Sequence, residues 1–360
     1  MEQQTMFEKL CSFENLLQAY KKARRGKRMH DDVAKFDFYL EYHLIQLRDQ
    51  LQNQTYRPEK YRRFVLRDPK ERYISAAIFR DRVVHHAVCN IIEPIFERTF
   101  IKDSYANRAG KGIHHALDRV TYFARRFPYV LRCDVRQFFP SIDLQILEHE
   151  LWRRLPDSKV MWLCRQILEG GSQELTDQYQ LILYPGDVKS IAEQRPRGLP
   201  IGNQTSQFWA NCYLDALDHF VKDKLGCHAY VRYVDDFVLM SNKKAELHQW
   251  RQAIIAFLAS QLRLSIHESE SAITPVAVGI PFLGFTVFPD HRRLRRRNGV
   301  HFAQKLQRLR KDFALGIKTQ EECKAHIQGW IAHVSHGDTW RLRESIFKSG
   351  FTKAVAEAQI

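Results

Sequence analysis

Tyr233-Val234-Asp235-Asp236 is entered through Val231-Arg232-Tyr233 and left through Phe237-Val238-Leu239-Met240. Two short runs rich in β-branched and aromatic residues around a tight acidic break predict a β-hairpin. Two adjacent carboxylates then stand at the hairpin tip between apolar strands. Like charges beside apolar surface are costly unless a cation neutralises them, and Mg²⁺ prefers oxygen ligands. The alternative is a solvated Asp-Asp turn, which is the commoner fate of an isolated pair.

A second acidic site lies upstream, where the strand-like run Tyr129-Val130-Leu131-Arg132-Cys133-Asp134 ends on an aspartate. Two strands that each deliver aspartate at one end would bring Asp134, Asp235 and Asp236 together around two metal ions. Paired metals roughly 3.5–4 Å apart activate the attacking oxygen and stabilise the leaving oxygen of a phosphoryl displacement. In a basic chain, this arrangement indicates a nucleotide polymerase.

Several motifs resemble, in order, those of bacterial reverse transcriptases of the group II intron type over about residues 60–340. The motifs are Arg72-Tyr73-Ile74, Arg80-Asp81-Arg82-Val83-Val84, Ser104 to Lys111, Asp134 with Phe138-Phe139, the Tyr-Val-Asp-Asp hairpin, and Pro281-Phe282-Leu283-Gly284-Phe285. One departure narrows the resemblance. Where group II enzymes carry Pro-Gln-Gly, this chain has Pro200-Ile201-Gly202, followed by Ser206-Gln207. That form is similar to the reverse transcriptases of diversity-generating retroelements.

The resemblance implies an α+β right-hand polymerase with fingers, a ferredoxin-like antiparallel palm and a helical thumb. We expect a basic helical N-terminal extension over 1–59, fingers over 60–128, a palm over 129–288 and a thumb over 289–360. Residues 170–197 are polar and rich in turn residues, and they predict an insertion in the palm, with a hairpin around Ile182-Leu183-Tyr184.

The resemblance also assigns roles to individual residues. Asp134 and Asp235 would be the principal ligands of two Mg²⁺ ions, with Asp236 assisting and Val135 as a further metal-binding position. Leu283 and Gly284 would form the primer grip. The expected nucleotide-binding residues are Lys70, Arg72, Phe139, Ile201 and Gly202.

Three of these assignments have stated alternatives. Arg72 would grip the triphosphate through its planar fork, or would be an ordinary surface arginine. Phe139 would exclude a ribose 2′-hydroxyl, while Phe138 packs in the core. Ile201 would remove a polar contact beneath the nascent base pair, or would simply pack the loop.

The chain carries 56 Lys and Arg against 41 acidic residues, a net charge of +15, which predicts a polyanionic partner. The basic run Lys21 to Arg28 contacts nucleic acid backbone or is a solvated face. A second run precedes an amphipathic thumb helix suited to an RNA/cDNA hybrid. Its expected nucleic-acid-binding residues are Arg292, Arg293, Arg295, Arg296, Arg297, Lys305 and Arg308. His326, His333 and His336 lie at helical spacing and are expected to pack or cap thumb helices.

No apolar run approaches the roughly 18 residues of a membrane span. The 7 cysteines contain no Cys-x-x-Cys pair, which indicates a reducing compartment, and we expect the cytoplasm. The predicted function is RNA-directed DNA polymerase, copying a template-repeat RNA from deoxynucleoside triphosphates into adenine-mutagenised cDNA that diversifies a target gene. A small helical accessory variability protein is the implied partner. The alternatives are a stand-alone or defence-associated reverse transcriptase making accurate cDNA, and a catalytically idle RNA-binding module.

Overall fold

The computed structural model describes residues 4–67, 71–172 and 174–347. Its strands are β1 (Arg62–Leu66), β2 (Arg72–Ala76), β3 (Tyr129–Asp134), β4 (Tyr230–Tyr233), β5 (Asp236–Ser241), β6 (Ile273–Pro275), β7 (Ile280–Phe282), β8 (Phe285–Val287) and β9 (Arg292–Leu294). They form three antiparallel sheets, ordered β1-β2, β4-β5-β3-β6 and β7-β8-β9.

The helices surround these sheets and occupy most of the remaining chain. They are α1 (Met6–Cys11), α2 (Phe13–Arg24), α3 (Asp31–Phe38), α4 (Leu40–Gln52), α5 (Phe79–Glu97), α6 (Ile113–Ala124), α7 (Phe138–Ser141), α8 (Leu144–Trp152), α9 (Ser158–Gly171), α10 (Lys189–Gln194), α11 (Gln204–His219), α12 (Lys244–Gln261), α13 (Arg296–Ala314), α14 (Gln320–Val334) and α15 (Trp340–Phe347). None of the described helices combines the length and the apolar character that crossing a membrane requires.

The four-stranded sheet is buried on both faces, because successive side chains of a strand point to opposite sides. Phe237 and Leu239 of β5 enter one core with α5, α9 and α11. Val238 and Met240 enter a second core with α6, β7 and β8. This explains why β5 is an almost unbroken apolar run.

The N-terminal helices α1–α4 share the larger core with α5. Leu10, Leu16, Leu44 and Leu51 are completely buried there. The residues predicted as an N-terminal extension are therefore part of the main hydrophobic core.

The predicted hairpin around Ile182-Leu183-Tyr184 is wrong, since the described part of 170–197 contains no strand. Asp187 closes a turn instead. Its Oδ2 accepts the Tyr184 N–H at 2.9 Å, and its own N–H donates to the Tyr184 carbonyl at 2.9 Å. Arg195 pairs with Asp187 and with Asp143, the N-cap of α8, which fastens this segment to the sheet-bearing core. A polar side chain thus takes the hydrogen bonds that a second strand would have supplied.

Candidate active site

The acidic tetrapeptide forms the tip of a hairpin, as predicted. β4 ends at Tyr233 and β5 begins at Asp236, and these two residues pair, so Val234 and Asp235 make the turn. Val234 has a φ of 56°. This left-handed conformation is costly for a β-branched residue and persists only where the surroundings maintain it. Contacts from outside the turn must therefore stabilise it.

Arg232 supplies such a contact from a completely buried position. Its Nη1 donates to the Val234 carbonyl at 3.0 Å and to Asn211 Oδ1 at 3.1 Å. Its Nε and Nη2 donate to the two carboxylate oxygens of Asp218 on α11, at 2.7 and 2.6 Å. A buried ion pair with this geometry fixes the hairpin tip against α11.

Sequence reasoning treated Arg232 only as the polar residue of an alternating strand. The available signal was its place in a strand that is otherwise apolar, because a charge buried in such a strand needs a buried partner. The partner itself was not identifiable from local pattern.

Asp134 is directly opposite Asp236 in the β3–β5 register. The backbone on both sides is tied in place: His267 N–H donates to the Asp134 carbonyl at 2.9 Å, and Val135 N–H donates to the Asp235 carbonyl at 3.2 Å. The three predicted carboxylates therefore lie together at one end of the four-stranded sheet.

The electrostatics of these carboxylates differ from those of surface aspartates. Burial, followed by the negative charge of Asp134, raises the pKa of Asp235 to about 6. Burial also raises the pKa of Asp236 to about 7, although Arg132, whose Nε lies 3.2 Å from Asp236 Oδ1, opposes that increase. Such raised values indicate negative charge that the protein compensates only in part, which a bound cation would relieve.

Within the described ranges, no group of three or more His, Cys, Asp or Glu side chains is arranged around one metal position. Part of the reason is that the Asp236 carboxylate pairs with Arg132. The oxygen donors nevertheless fit a hard divalent cation, since Asp134 and Asp235 are carboxylates. The carbonyl of Val135, the residue that follows Asp134, adds a further oxygen of the kind such a cation prefers.

Arg72 is the first residue of β2 and lies close enough to Asp235 to act against the rise in its pKa. Ser75, on the same strand, donates its N–H to the Ile201 carbonyl at 3.1 Å. The loop that carries Ile201 is thereby placed beside the strand that carries Arg72. Lys70, also expected to bind nucleotide, lies outside the described residues.

Gly202 makes the close approach of this loop to β2 possible. Its φ is 116°, and a Cβ atom there would lie 2.8 Å from Cγ2 of Ile74. Only glycine combines that backbone conformation with that proximity.

The two aromatic residues after Asp134 have different surroundings. Phe138 is buried in the larger core, so its predicted packing role is confirmed. Phe139 is half-buried on the short helix α7, and its carbonyl accepts the Leu199 N–H at 3.0 Å. Phe139 thus adjoins the loop that contains Ile201.

Leu283 and Gly284 form the two-residue turn between β7 and β8, with φ values of 46° and 87°. Positive φ at both positions matches the tight turn that antiparallel strands favour. The Gly284 carbonyl accepts hydrogen bonds from Asn298 Nδ2 at 3.0 Å and from the Arg295 N–H at 3.1 Å. The turn is therefore fastened to the start of α13.

A cleft of about 910 Å³ lies between Arg72 and the helices α13 and α14. Its cationic and aromatic lining includes two of the predicted nucleic-acid-binding residues, Arg297 and Lys305, together with His301, His326 and Trp330. His301 and Asn298, which also line it, were not predicted. The cleft combines positive charge with an aromatic surface, as nucleic-acid channels do.

The remaining predicted cations have varied surroundings. Arg292 donates to Asp118 at 2.7 Å and to Thr121 at 2.8 Å, so it joins β9 to α6. Arg293 lies over the Phe288 ring at 5.5 Å, and Arg296 and Arg308 are exposed. Arg292 therefore makes an internal contact, whereas its neighbours present charge to solvent.

Two of the thumb histidines pack against α6 and β8, as predicted. His336 stacks on His114 with ring centroids 3.5 Å apart, and His333 lies 5.2 Å from Phe285. His326 lines the cleft.

Comparison with known proteins shows the family. The family described as reverse transcriptase (RNA-dependent DNA polymerase) matches residues 67–287, well over half of the chain. Among curated proteins, the chain is 25% identical over 291 residues to protein YkfC of Escherichia coli K12, covering 70% of this chain and 71% of YkfC. It is 22% identical to the group II intron-encoded protein LtrA of Lactococcus lactis, covering 85% of this chain and 59% of LtrA.

Solved structures are similar at a greater distance. A partial Cas6-RT-Cas1–Cas2 complex matches 72% of this chain and 43% of that chain, with 17% identity and a TM-score of 0.39. Telomerase from Candida albicans matches 84% of this chain and 65% of that chain, with 10% identity and a TM-score of 0.46. With the family match and the α+β sheet-and-helix arrangement described above, the chain belongs to the reverse transcriptases, RNA-directed DNA polymerases with a right-hand fold.

Proposed function

We propose that this reverse transcriptase copies a template-repeat RNA into cDNA with errors at template adenines, and that the cDNA diversifies a target gene. The observation that carries the proposal is Ile201, an apolar side chain on the loop that lies against β2 beside Arg72 and Phe139. The preference for adenine comes from the sequence resemblance and does not follow from the geometry.

Ile201 bears on fidelity through what it lacks. A glutamine amide at this position can donate and accept hydrogen bonds, which helps to orient the incoming nucleotide and its template base. Isoleucine offers only branched apolar bulk, so selection rests on base pairing and shape. Shape selection alone discriminates weakly compared with well-placed polar contacts.

The proposed polymerase site consists of Asp134 and Asp235 as the main ligands of two Mg²⁺ ions, with Asp236 and the Val135 carbonyl assisting. When bound, the ions would lower the barrier to phosphoryl transfer by stabilising negative charge on the reacting oxygens. Arg132 bears on this site because its guanidinium pairs with Asp236 at 3.2 Å and limits how far that carboxylate turns.

The remaining roles concern binding and orientation. Arg72 would hold the triphosphate, with Lys70 assisting. Phe139 would exclude a 2′-hydroxyl, and Gly202 would allow close approach to the nascent pair. Leu283 and Gly284 would hold the primer end. The cations of the cleft and of the 292–308 segment would bind template RNA and the RNA/cDNA hybrid through its phosphates. A small helical accessory variability protein and a cytoplasmic location complete the proposal.

A stand-alone or defence-associated enzyme making accurate cDNA is the second candidate, and it shares the whole polymerase site. The idle RNA-binding module is disfavoured because the aspartates at 134, 235 and 236 are all retained and lie together. The two candidates that remain differ in the error spectrum of their product.

The test compares cDNA libraries from the wild type and Ile201→Gln on one defined RNA. We expect Ile201→Gln to lower misincorporation opposite adenine more than opposite other bases, with synthesis retained. Asp235→Asn is the matched negative control, because it preserves shape and removes charge, and it should abolish synthesis while RNA binding remains. Identical error spectra for wild type and Ile201→Gln would contradict the diversifying function, and near-normal extension by Asp235→Asn in Mg²⁺ would contradict the metal assignment.

A further inference from the structure

A separate cavity of about 210 Å³ lies where the N-terminal helices meet α5 and the start of α11. It is lined by Lys27, Arg82, His85, His86, the 202–204 segment and Gln207. None of these residues except Gly202 belongs to the polymerase site proposed above.

Positive charge in this cavity is poorly compensated. Burial lowers the pKa of Lys27 and of Arg82, Arg82 lowers that of Lys27 further, and Asp32 is the acidic group that acts against both shifts. Within the described ranges neither cation forms an ion pair, the nearest carboxylate pair being Asp32 with Arg62 at 3.7 Å. Arg82 uses its Nε to bind the Ala77 carbonyl at 2.8 Å, which orients its guanidinium. An anion would supply the missing negative charge.

The N-terminus of α11 opens into the same cavity. Asn203 occupies the N-cap position, but its side chain makes no capping hydrogen bond. Its Oδ1 instead accepts the Ala77 N–H at 3.0 Å, and its Nδ2 donates to the Ser75 carbonyl at 3.0 Å. The first-turn N–H groups of a 16-residue helix are thus left without a side-chain cap, and such groups attract anions.

His85 provides an independent indication. The residue is 1% exposed, and its Nε2 has no hydrogen-bond partner among the described residues. Its Nδ1 lies 3.3 Å from the Thr205 hydroxyl. Burial lowers its pKa to about 3, so the ring is neutral. With Thr205 donating to Nδ1, the proton resides on Nε2, and a buried N–H donor lines the cavity without an acceptor.

We propose that this cavity binds a backbone phosphate of the template strand just beyond the nascent base pair, an inference that rests on the proposed polymerase function. Lys27 and Arg82 supply charge, and His85 Nε2 and the first turn of α11 supply N–H donors. The site is distinct from the one assigned to the triphosphate. Arg72 and Ala76 are the two ends of β2, about 13 Å apart at roughly 3.3 Å per residue, and the cavity adjoins the Ala76 end.

The test uses the full chain and a primer–template with an RNA template overhang of one or of eight nucleotides. Binding is measured by fluorescence anisotropy across a salt series for the wild type, Lys27→Gln and Lys27→Arg. Lys21→Gln is the matched control, because Lys21 is an exposed lysine of the same basic run.

On the long overhang, Lys27→Gln should bind more weakly than wild type and lose about 0.7 from the salt slope, the value per phosphate on a single strand. Its disadvantage should therefore shrink by about 2.6-fold between 50 and 200 mM salt. On the short overhang it should match wild type, and Lys27→Arg should retain wild-type binding.

Three results would overturn the inference. Lys27→Gln could behave as Lys21→Gln does on both overhangs. It could raise the KM for deoxynucleotide without an overhang effect, which would assign the cavity to the nucleotide. Inorganic phosphate could compete equally on both overhangs, which would indicate a free-anion site. Because binding is measured without synthesis, failure of the polymerase proposal itself would appear separately, as a wild-type chain that binds but makes no cDNA.

Discussion

Asp218→Asn should destabilise the protein by roughly 3–5 kcal/mol, the usual cost of removing one partner from a buried ion pair. Asp218 and Arg232 are both 0% exposed. The carboxylate accepts from Arg232 Nε at 2.7 Å, from Arg232 Nη2 at 2.6 Å and from the Tyr230 hydroxyl at 2.7 Å. An asparagine keeps one acceptor oxygen and presents an amide N–H₂ in place of the other, so a guanidinium N–H loses its acceptor while the buried charge loses its counter-charge.

Urea unfolding followed by circular dichroism at neutral pH measures this free energy. Asp223→Asn is the matched control, because Asp223 is a 64% exposed aspartate that pairs with His219 just beyond the end of α11. Exposed pairs contribute about 0–1 kcal/mol. A loss for Asp218→Asn no larger than that of Asp223→Asn would refute the assignment of Arg232–Asp218 as a buried anchor.

The double variant Asp218→Leu/Arg232→Met separates stability from activity. Replacing both charges with apolar groups leaves no unpaired charge, so most of the lost stability should return. DNA synthesis should stay low, because the Val234 carbonyl no longer receives the Arg232 hydrogen bond that maintains the strained turn. Recovery of both stability and synthesis would show that Arg232 does not position the hairpin tip.

Three further changes test other parts of the site. Phe139→Ala should admit ribonucleotides, since an open pocket rejects an added hydroxyl weakly; unchanged discrimination in single-nucleotide extension would transfer the role to Phe138. Replacing Arg297 and Lys305 with Gln should flatten the salt dependence of hybrid binding by up to about one unit for each phosphate that is no longer neutralised, with Arg293→Gln as the control; an unaltered slope would make these residues a solvated surface. Gly202→Ala should reduce synthesis because its Cβ would lie 2.8 Å from Ile74 Cγ2 at a φ of 116°; wild-type extension rates would mean that the loop shifts without cost.

The elements that sequence predicted well are those specified by local pattern. The hairpin at Tyr233 to Asp236, the strand ending at Asp134 and the buried helix α5 follow from apolar spacing and turn position alone. Once β3 and β5 pair in antiparallel register, Asp134 and Asp236 must be opposite one another. The carboxylate cluster could therefore be predicted before the sheet order was known.

Other features depend on partners distant in the chain. Arg292 stood in a run of arginines and was expected to bind nucleic acid, yet it donates to Asp118, 174 residues away. Ile182-Leu183-Tyr184 has strand-like composition, but Asp187 and Arg195 form a network with Asp143 that replaces strand pairing. In both cases a polar side chain found a tertiary partner that local composition does not reveal.

The same principle operates within the site itself, and it connects the polymerase hairpin to the phosphate cavity. Local rules assign Asn203 to capping α11, but its side chain binds Ala77 and Ser75, 126 and 128 residues away. Those contacts fix the loop carrying Ile201 against β2, and they leave the helix N-terminus uncapped beside Lys27 and Arg82. One long-range use of an amide thus positions the loop beside the proposed nucleotide site and opens the N–H donors of the proposed template site. Substituting Asn203 would disturb both together, which is why the two sites are better separated by Ile201→Gln and Lys27→Gln, each of which alters only one.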